Sequence, residues 1–88
     1  MEISFDPAKR EKTLHERGLD FADAARLFDG RTITVLDDRF DYGEDRFISY
    51  GRIDGVGIAL VWTERDRMRR IISMRRMHEW EIIYVGLD

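Results

Sequence analysis

The stretch Arg46-Phe47-Ile48-Ser49-Tyr50-Gly51-Arg52-Ile53-Asp54-Gly55-Val56-Gly57-Ile58-Ala59-Leu60-Val61-Trp62-Thr63 decides the fold. Asp54-Gly55 is a strong two-residue hairpin signal, because the turn that suits twisted strands needs positive φ at both central positions. Arg46–Ile53 then reads as one strand, and Gly57–Thr63, nearly all apolar, as a central strand covered on both faces. A turn at 54–55 fixes the register. Phe47 faces Trp62, Ser49 faces Leu60, Gly51 faces Ile58 and Ile53 faces Val56, which gives an apolar face. The opposite face pairs Arg46 with Thr63, Ile48 with Val61, Tyr50 with Ala59 and Arg52 with Gly57. Two guanidiniums, one aromatic ring and small neighbours make a shallow cationic surface that can grip a phosphate and stack a base. The plainer alternative is that Ile48 and Tyr50 cover a second small core while the arginines reach outward.

Working outward, Ile3-Ser4-Phe5 is a short strand candidate. Asp6-Pro7 reads as N-cap and first helical position of a helix running to about Arg17, with Gly18 as its left-handed C-cap. That helix has few apolar residues and belongs on the surface. Asp20 caps a second helix, whose face at helical spacing is Phe21, Ala24, Ala25 and Phe28, widened by Leu27, and Asp29-Gly30 ends it. Thr32–Leu36 is β-branched and strand-like, Asp37 to Glu44 is a polar loop, and Arg67–Met74 is a further strand. In Met77–Tyr84 the residues Met77, Trp80 and Tyr84 suit a helix face, whereas Ile82-Ile83-Tyr84-Val85 has strand propensity; helix is the favoured reading. The order β-α-α-β-β-β-β-α predicts an α+β fold: a meandering antiparallel sheet against two N-terminal helices, with a short C-terminal helix, all in one domain over residues 1–88.

Composition limits the functions available. The chain has 88 residues, 43% hydrophobic and 38% charged, which is globular rather than disordered. It has no cysteine, which removes disulfides, thiolate zinc sites and thiol catalysis. No apolar run is long enough to span a membrane, and Met1–Asp6 lacks the pattern of a secretory signal, so a cytoplasmic location is expected. Net charge is -3 but unevenly distributed: residues 1–45 carry 12 acids and 7 bases, residues 46–88 carry 6 acids and 8 bases. Between 65 and 76 lie six arginines (Arg65, Arg67, Arg69, Arg70, Arg75, Arg76) against Asp66 alone. Such a run serves either as a solvated strand edge that resists aggregation or as a phosphate-binding patch. Arginine suits the latter, since its planar fork binds phosphate through two bonds at once. The spacing of His and carboxylates suggests no metal site, no cofactor is called for, and no glycine-rich loop precedes a helix as nucleotide hydrolysis would require.

Several segments together resemble one family. Phe5-Asp6-Pro7-x-Lys9 is similar to the start of BrnT-type toxins, small RelE-like ribonucleases of type II toxin–antitoxin systems. Gly18 followed by Phe21-Ala22-Asp23-Ala24-Ala25-Arg26-Leu27-Phe28-Asp29 matches the family's helix end and its Phe-x-x-Ala helix. Glu44-Asp45-Arg46-Phe47-Ile48-Ser49-Tyr50-Gly51 carries its Glu-x-Arg-aromatic-x-x-x-Gly motif. Thr63-Glu64-Arg65, Arg70-Ile71-Ile72-Ser73-Met74-Arg75 and Glu81-Ile82-Ile83-Tyr84 follow in order. The likeness spans nearly the whole chain. Four positions depart from it, the first being Thr13 in place of the family's Asn. Glu16 and Arg17 stand where the family carries Lys and His, and Met74 replaces a small residue.

The resemblance implies a RelE-like fold and metal-independent RNA cleavage, in which a 2′-hydroxyl attacks the adjacent phosphorus and translation is inhibited. Such chemistry needs a base, an acid, and cations for the developing phosphorane charge. Arg65 and Arg75 lie on the carried-over motifs and are expected at the scissile phosphate, with Arg46 as a third cation. Glu44 is the candidate base if its pKa is raised; as an ordinary ion-pair partner of Arg46 it would have no such role. Tyr50, Arg52, Arg70 and Arg76 are the candidate RNA-binding residues. His15 and His78 have suitable pKa values for a general acid but also read as surface residues. The implied partners are a BrnA-like ribbon-helix-helix antitoxin, through it operator DNA, and an RNA substrate. The apolar tail residues Met77, Trp80 and Tyr84 are candidates for antitoxin contact or for a homodimer. The alternative reading, favoured by Glu16 and Arg17, is an attenuated or non-catalytic module of the same fold that pairs with the antitoxin or with nucleic acid.

Overall fold

The computed structural model describes residues 1–87. One five-stranded sheet has the order β1-β5-β4-β3-β2, with β1 (Ile3–Ser4), β2 (Ile33–Asp37), β3 (Arg46–Ile53), β4 (Val56–Arg65) and β5 (Met68–Arg76). The four long strands form an antiparallel meander, and β1 joins the β5 edge in parallel. The sheet is therefore mixed rather than wholly antiparallel. Helix α1 spans Pro7–Arg17, a 3-10 helix spans Phe21–Asp29, and α2 spans Glu79–Val85. No helix among the described residues is long and apolar enough to cross a membrane.

Local chemistry explains the helices. Asp6 accepts a hydrogen bond from the Ala8 N–H at 2.8 Å, Pro7 opens α1, and Gly18 closes it at φ +68. No residue of α1 is buried, as its polar sequence requires. Asp20 is shared: it caps the 3-10 helix through the Ala22 N–H and binds Arg10 at 2.7 and 2.9 Å. Those bonds, that of Arg10 foremost, hold its carboxyl down at about 2.

The second helix departs from the α-helical expectation. Its buried residues are Phe21, Ala24 and Leu27, three apart, whereas Ala25 is exposed and Phe28 half-buried. At three residues per turn, side chains separated by three stack over one another, so Leu27 takes the place that a 3.6-residue period would give to Phe28. These three pack with Ile58, Leu60, Trp62, Ile71 and Met74 as the core.

The β3–β4 hairpin has the register read from Asp54-Gly55, with Phe47 opposite Trp62 and Tyr50 opposite Ala59. The other tight turn is less legible. Asp66 and Arg67 both adopt positive φ (54 and 62), so β4 runs on to Arg65 and β5 starts at Met68. A second feature in β5 has consequences for the site. Val61 pairs with Ser73 but Trp62 pairs with Ile71, leaving Ile72 as a bulge. The extra residue lets Ile71 and Met74, three apart, both enter the core. It also turns Arg70 onto the opposite face, beside Thr63.

Candidate functional site

The sheet face away from the 3-10 helix carries the candidate residues. Register places Asp37, Arg46, Thr63 and Arg70 in one row across β2, β3, β4 and β5. A second row runs Ile33, Tyr50, Ala59, Arg75, and Arg52 lies opposite Gly57 beyond it. Helix α2 covers that far end. A Cβ on Gly57 would lie 3.0 Å from Ile82 Cδ1, so the helix sits directly on the strand.

At the near end three of the four candidate catalytic residues meet. Arg65 Nη2 donates to Glu44 Oε1 at 2.9 Å, and Arg46 Nε donates to Glu44 Oε2 at 3.3 Å. Both guanidiniums, Arg65 first, hold the Glu44 carboxyl below its ordinary range. The raised pKa that a resting general base would need is thus absent while the two arginines are bound. The Arg46 guanidinium also lies over the Tyr42 ring, 4.0 Å from its centroid. The Tyr42 hydroxyl donates to Asp37 Oδ2 at 3.2 Å, and Asp37 accepts two further bonds from Arg39, at 2.7 and 2.8 Å. Asp37 is 5% exposed, and Arg39 above all holds its carboxyl at about 2. One connected chain therefore runs Arg39–Asp37–Tyr42–Arg46–Glu44–Arg65.

Arg75 shares the face but not the cluster. It stands opposite Ala59, six residues along β4 from Arg65, which is about 20 Å of strand. Its guanidinium forms a two-pronged bond with Glu81 of α2, both contacts 2.8 Å. Glu81 also accepts from the His78 N–H at the start of α2. Arg75, then burial against it and the His78 bond, set Glu81; the bonds win and its carboxyl is held at about 2. Glu81 above all raises the affinity of the Arg75 guanidinium for its proton, with the Arg39 charge acting weakly against it.

The remaining candidates are distributed as follows. Tyr50, Arg52 and Arg70 lie on the open face. Arg76 pairs with Ile58 on the core-facing side and donates to the Arg17 carbonyl, closing the end of α1. His15 is exposed on α1 and His78 begins α2, where it stacks on Trp80. Neither imidazole hydrogen-bonds to the Glu44 cluster. Trp80 and Tyr84 are 64% and 83% exposed, while Met77 is half-buried against Gly57.

The family model for the ribonuclease toxin BrnT of type II toxin–antitoxin systems matches residues 5–81. The chain belongs to that family. Membership brings with it a ribonuclease activity, a cognate antitoxin and an RNA substrate. No curated protein matches the chain. For a BrnT chain the face described above is notable for what the linear motifs omit. Asp37, Arg39 and Tyr42 lie in or beside the segment that reads as polar loop, and Glu81 reads as an ordinary helix charge. The alternation Asp37-x-Arg39 at a strand end was the available signal, but only the pairing of β2 with β3 brings it to Arg46.

Proposed function

We propose that this chain cleaves RNA by attack of a 2′-hydroxyl on the adjacent phosphorus, with Arg46 and Arg65 holding the scissile phosphate. The supporting observation is their shared grip on Glu44. Two guanidiniums converge on the two oxygens of one carboxylate. A phosphodiester offers the same pair of acceptors with the same charge, and arginine binds it through the same fork. The nucleophile belongs to the substrate, so the protein's part is positioning and charge stabilisation, which preorganised cations supply without rearrangement. When phosphate takes the arginines, Glu44 loses the bonds that depress it, its carboxyl rises towards the ordinary range, and it lies beside the linkage to accept the 2′-hydroxyl proton, while the bond from phosphorus to the 5′-oxygen breaks and that oxygen leaves with a proton from water. Arg70, in the row of Arg46, binds the phosphate that follows. Tyr50, Arg52 and Arg75 bind flanking phosphates and a base along the open face, and Arg76 extends the basic surface round the sheet edge. Cleavage of RNA in the cytoplasm stops translation. A ribbon-helix-helix antitoxin, which also holds operator DNA, restrains the toxin through Met77, Trp80 and Tyr84 on α2; residues 1–88 act as one domain.

The test is cleavage by antitoxin-free protein of wild-type sequence against Arg46→Ala and Arg65→Ala. Each variant should lose roughly 10²- to 10³-fold in rate with an unchanged melting temperature, and neither should arrest bacterial growth. Intact RNA with wild-type protein, and growth indistinguishable among the three, would establish the second reading, a non-catalytic binding module. The bonds that keep Glu44 ionised and occupied, and the lack of an imidazole bonded to it, are the observations that favour that second reading.

A further inference from the structure

We propose that Arg39 is a phosphodiester-binding residue of this face, and that Asp37 is the positioning residue that aims Arg39 directly and Arg46 through Tyr42. The anion's identity rests on the RNA-cleaving function proposed above; the geometry of the device does not. Asp37 is the last residue of β2 and its carboxylate side chain is 1% exposed, an expensive burial for a charge unless it is fully bonded. It is bonded on every side: Arg39 Nε and Nη2 reach its two oxygens, the Arg39 N–H reaches Oδ1 at 3.3 Å, and the Tyr42 hydroxyl reaches Oδ2. The partner is placed quite differently. The Arg39 side chain is 62% exposed, and its Nη1 makes no hydrogen bond among the described residues. A buried anion thus anchors a cation by one edge of its fork and leaves the other edge to solvent on the open face.

The second arm runs through the ring. Tyr42 is held by its hydroxyl on Asp37 and by an edge contact with Phe40, ring centroids 5.8 Å apart. Its face then carries the Arg46 guanidinium, which uses Nε for Glu44, while its two Nη groups make no hydrogen bond among the described residues. An arginine stacked on a fixed ring has lost much of its rotamer freedom before any ligand arrives. Arg39 and Arg46 therefore present spare donors from positions fixed by one carboxylate.

The test uses a short single-stranded RNA with 2′-O-methyl riboses. It lacks the nucleophile, so binding is read apart from cleavage. Arg39→Ala should weaken binding about 5- to 20-fold and reduce the slope of log affinity against log salt by about 0.7, the loss of one phosphate contact on a single strand. Asp37→Asn should reduce the same slope, and the double variant should be no worse than either alone. The double variant also keeps the measurement readable if Arg39→Ala, by leaving a buried carboxylate unpaired, weakens the fold. Tyr42→Leu should weaken binding more than Tyr42→Phe, which keeps the ring under Arg46. Wild-type affinity and slope in Arg39→Ala and Asp37→Asn, with only a lowered melting temperature, would overturn the proposal. With unmodified RNA of the same sequence, binding without cleavage by the wild-type protein would sink the nuclease function and leave this site standing; cleavage that needs Arg46 and Arg65 but ignores Arg39 would do the reverse.

Discussion

The two faces of the sheet are built from alternate residues of the same strands, yet they obey different rules. On the closed face Ile58, Leu60, Trp62, Ile71 and Met74 meet the 3-10 helix, and almost nothing charged intrudes. The exceptions are Arg76, at the end of β5, and Arg69, whose guanidinium lies 3.7 Å from the Phe28 ring centroid and 4.9 Å from that of Trp62. On the open face charged side chains are numerous, but the central ones are tied: Arg46 and Arg65 to Glu44, Arg39 to Asp37, Arg75 to Glu81. The closed face gains its stability from area removed from water. The open face spends its interactions on fixing where positive charge sits. Stability and anion binding should therefore be separable by substitution.

The largest effect belongs to the closed face. Leu60 is fully buried, so Leu60→Ala should cost about 2–5 kcal/mol. Denaturant titration should show the loss, while the salt slope of RNA binding at low temperature stays that of the wild type. A changed slope would mean that the faces are not independent.

One glycine on each face gives a sharper comparison. A Cβ on Gly51 would lie 2.9 Å from Leu27 Cγ and 3.2 Å from Thr32 Cγ2, inside the packed core. Gly51→Ala should cost about 1–3 kcal/mol. A Cβ on Gly57 would meet Ile82 Cδ1 at 3.0 Å, the free end of a side chain on a short helix that can shift. Gly57→Ala should cost under about 1 kcal/mol. Equal melting temperatures for the two variants would show α2 to be packed as rigidly as the core.

The remaining effect is electrostatic and shows only in its dependence on pH. Glu81 is held at about 2 in the folded protein against an ordinary 4.5. A depressed carboxyl contributes stability that is present above the ordinary value and is lost as pH falls through the folded one. Glu81→Gln should cost about 2–3 kcal/mol at neutral pH, and the gap from wild type should close between about pH 4.5 and 2. A gap that persists unchanged at pH 2 would show that Arg75 is held by packing rather than by the Glu81 charge.

Much of this architecture is written locally. Asp54-Gly55 can hardly form anything but a tight turn, and once it does, every side chain of β3 and β4 is assigned to a face. Asp6-Pro7 and Gly18 bound α1 for equally local reasons, since one supplies an acceptor and a preset φ and the other tolerates a positive φ. The nearness of Glu44, Arg46 and Arg65 follows from the same hairpin, because Arg46 pairs with Thr63 and Arg65 is the next residue on that face. Tertiary structure decided what no local signal records. The 3-10 period put Leu27 rather than Phe28 at the centre of the helix's buried face and turned Ala25 out to solvent. The Ile72 bulge, which answers to packing between β4 and β5, turned Arg70 outward and with it the composition of the open face. The pairing of β2 with β3 joined Asp37 and Tyr42 to Arg46, and the docking of α2 gave Arg75 its carboxylate. Turn and cap preferences act within a few residues and so are visible in sequence. Contacts between segments tens of residues apart depend on how volumes fill and which charges find partners, and those are settled only when the whole chain has closed on itself.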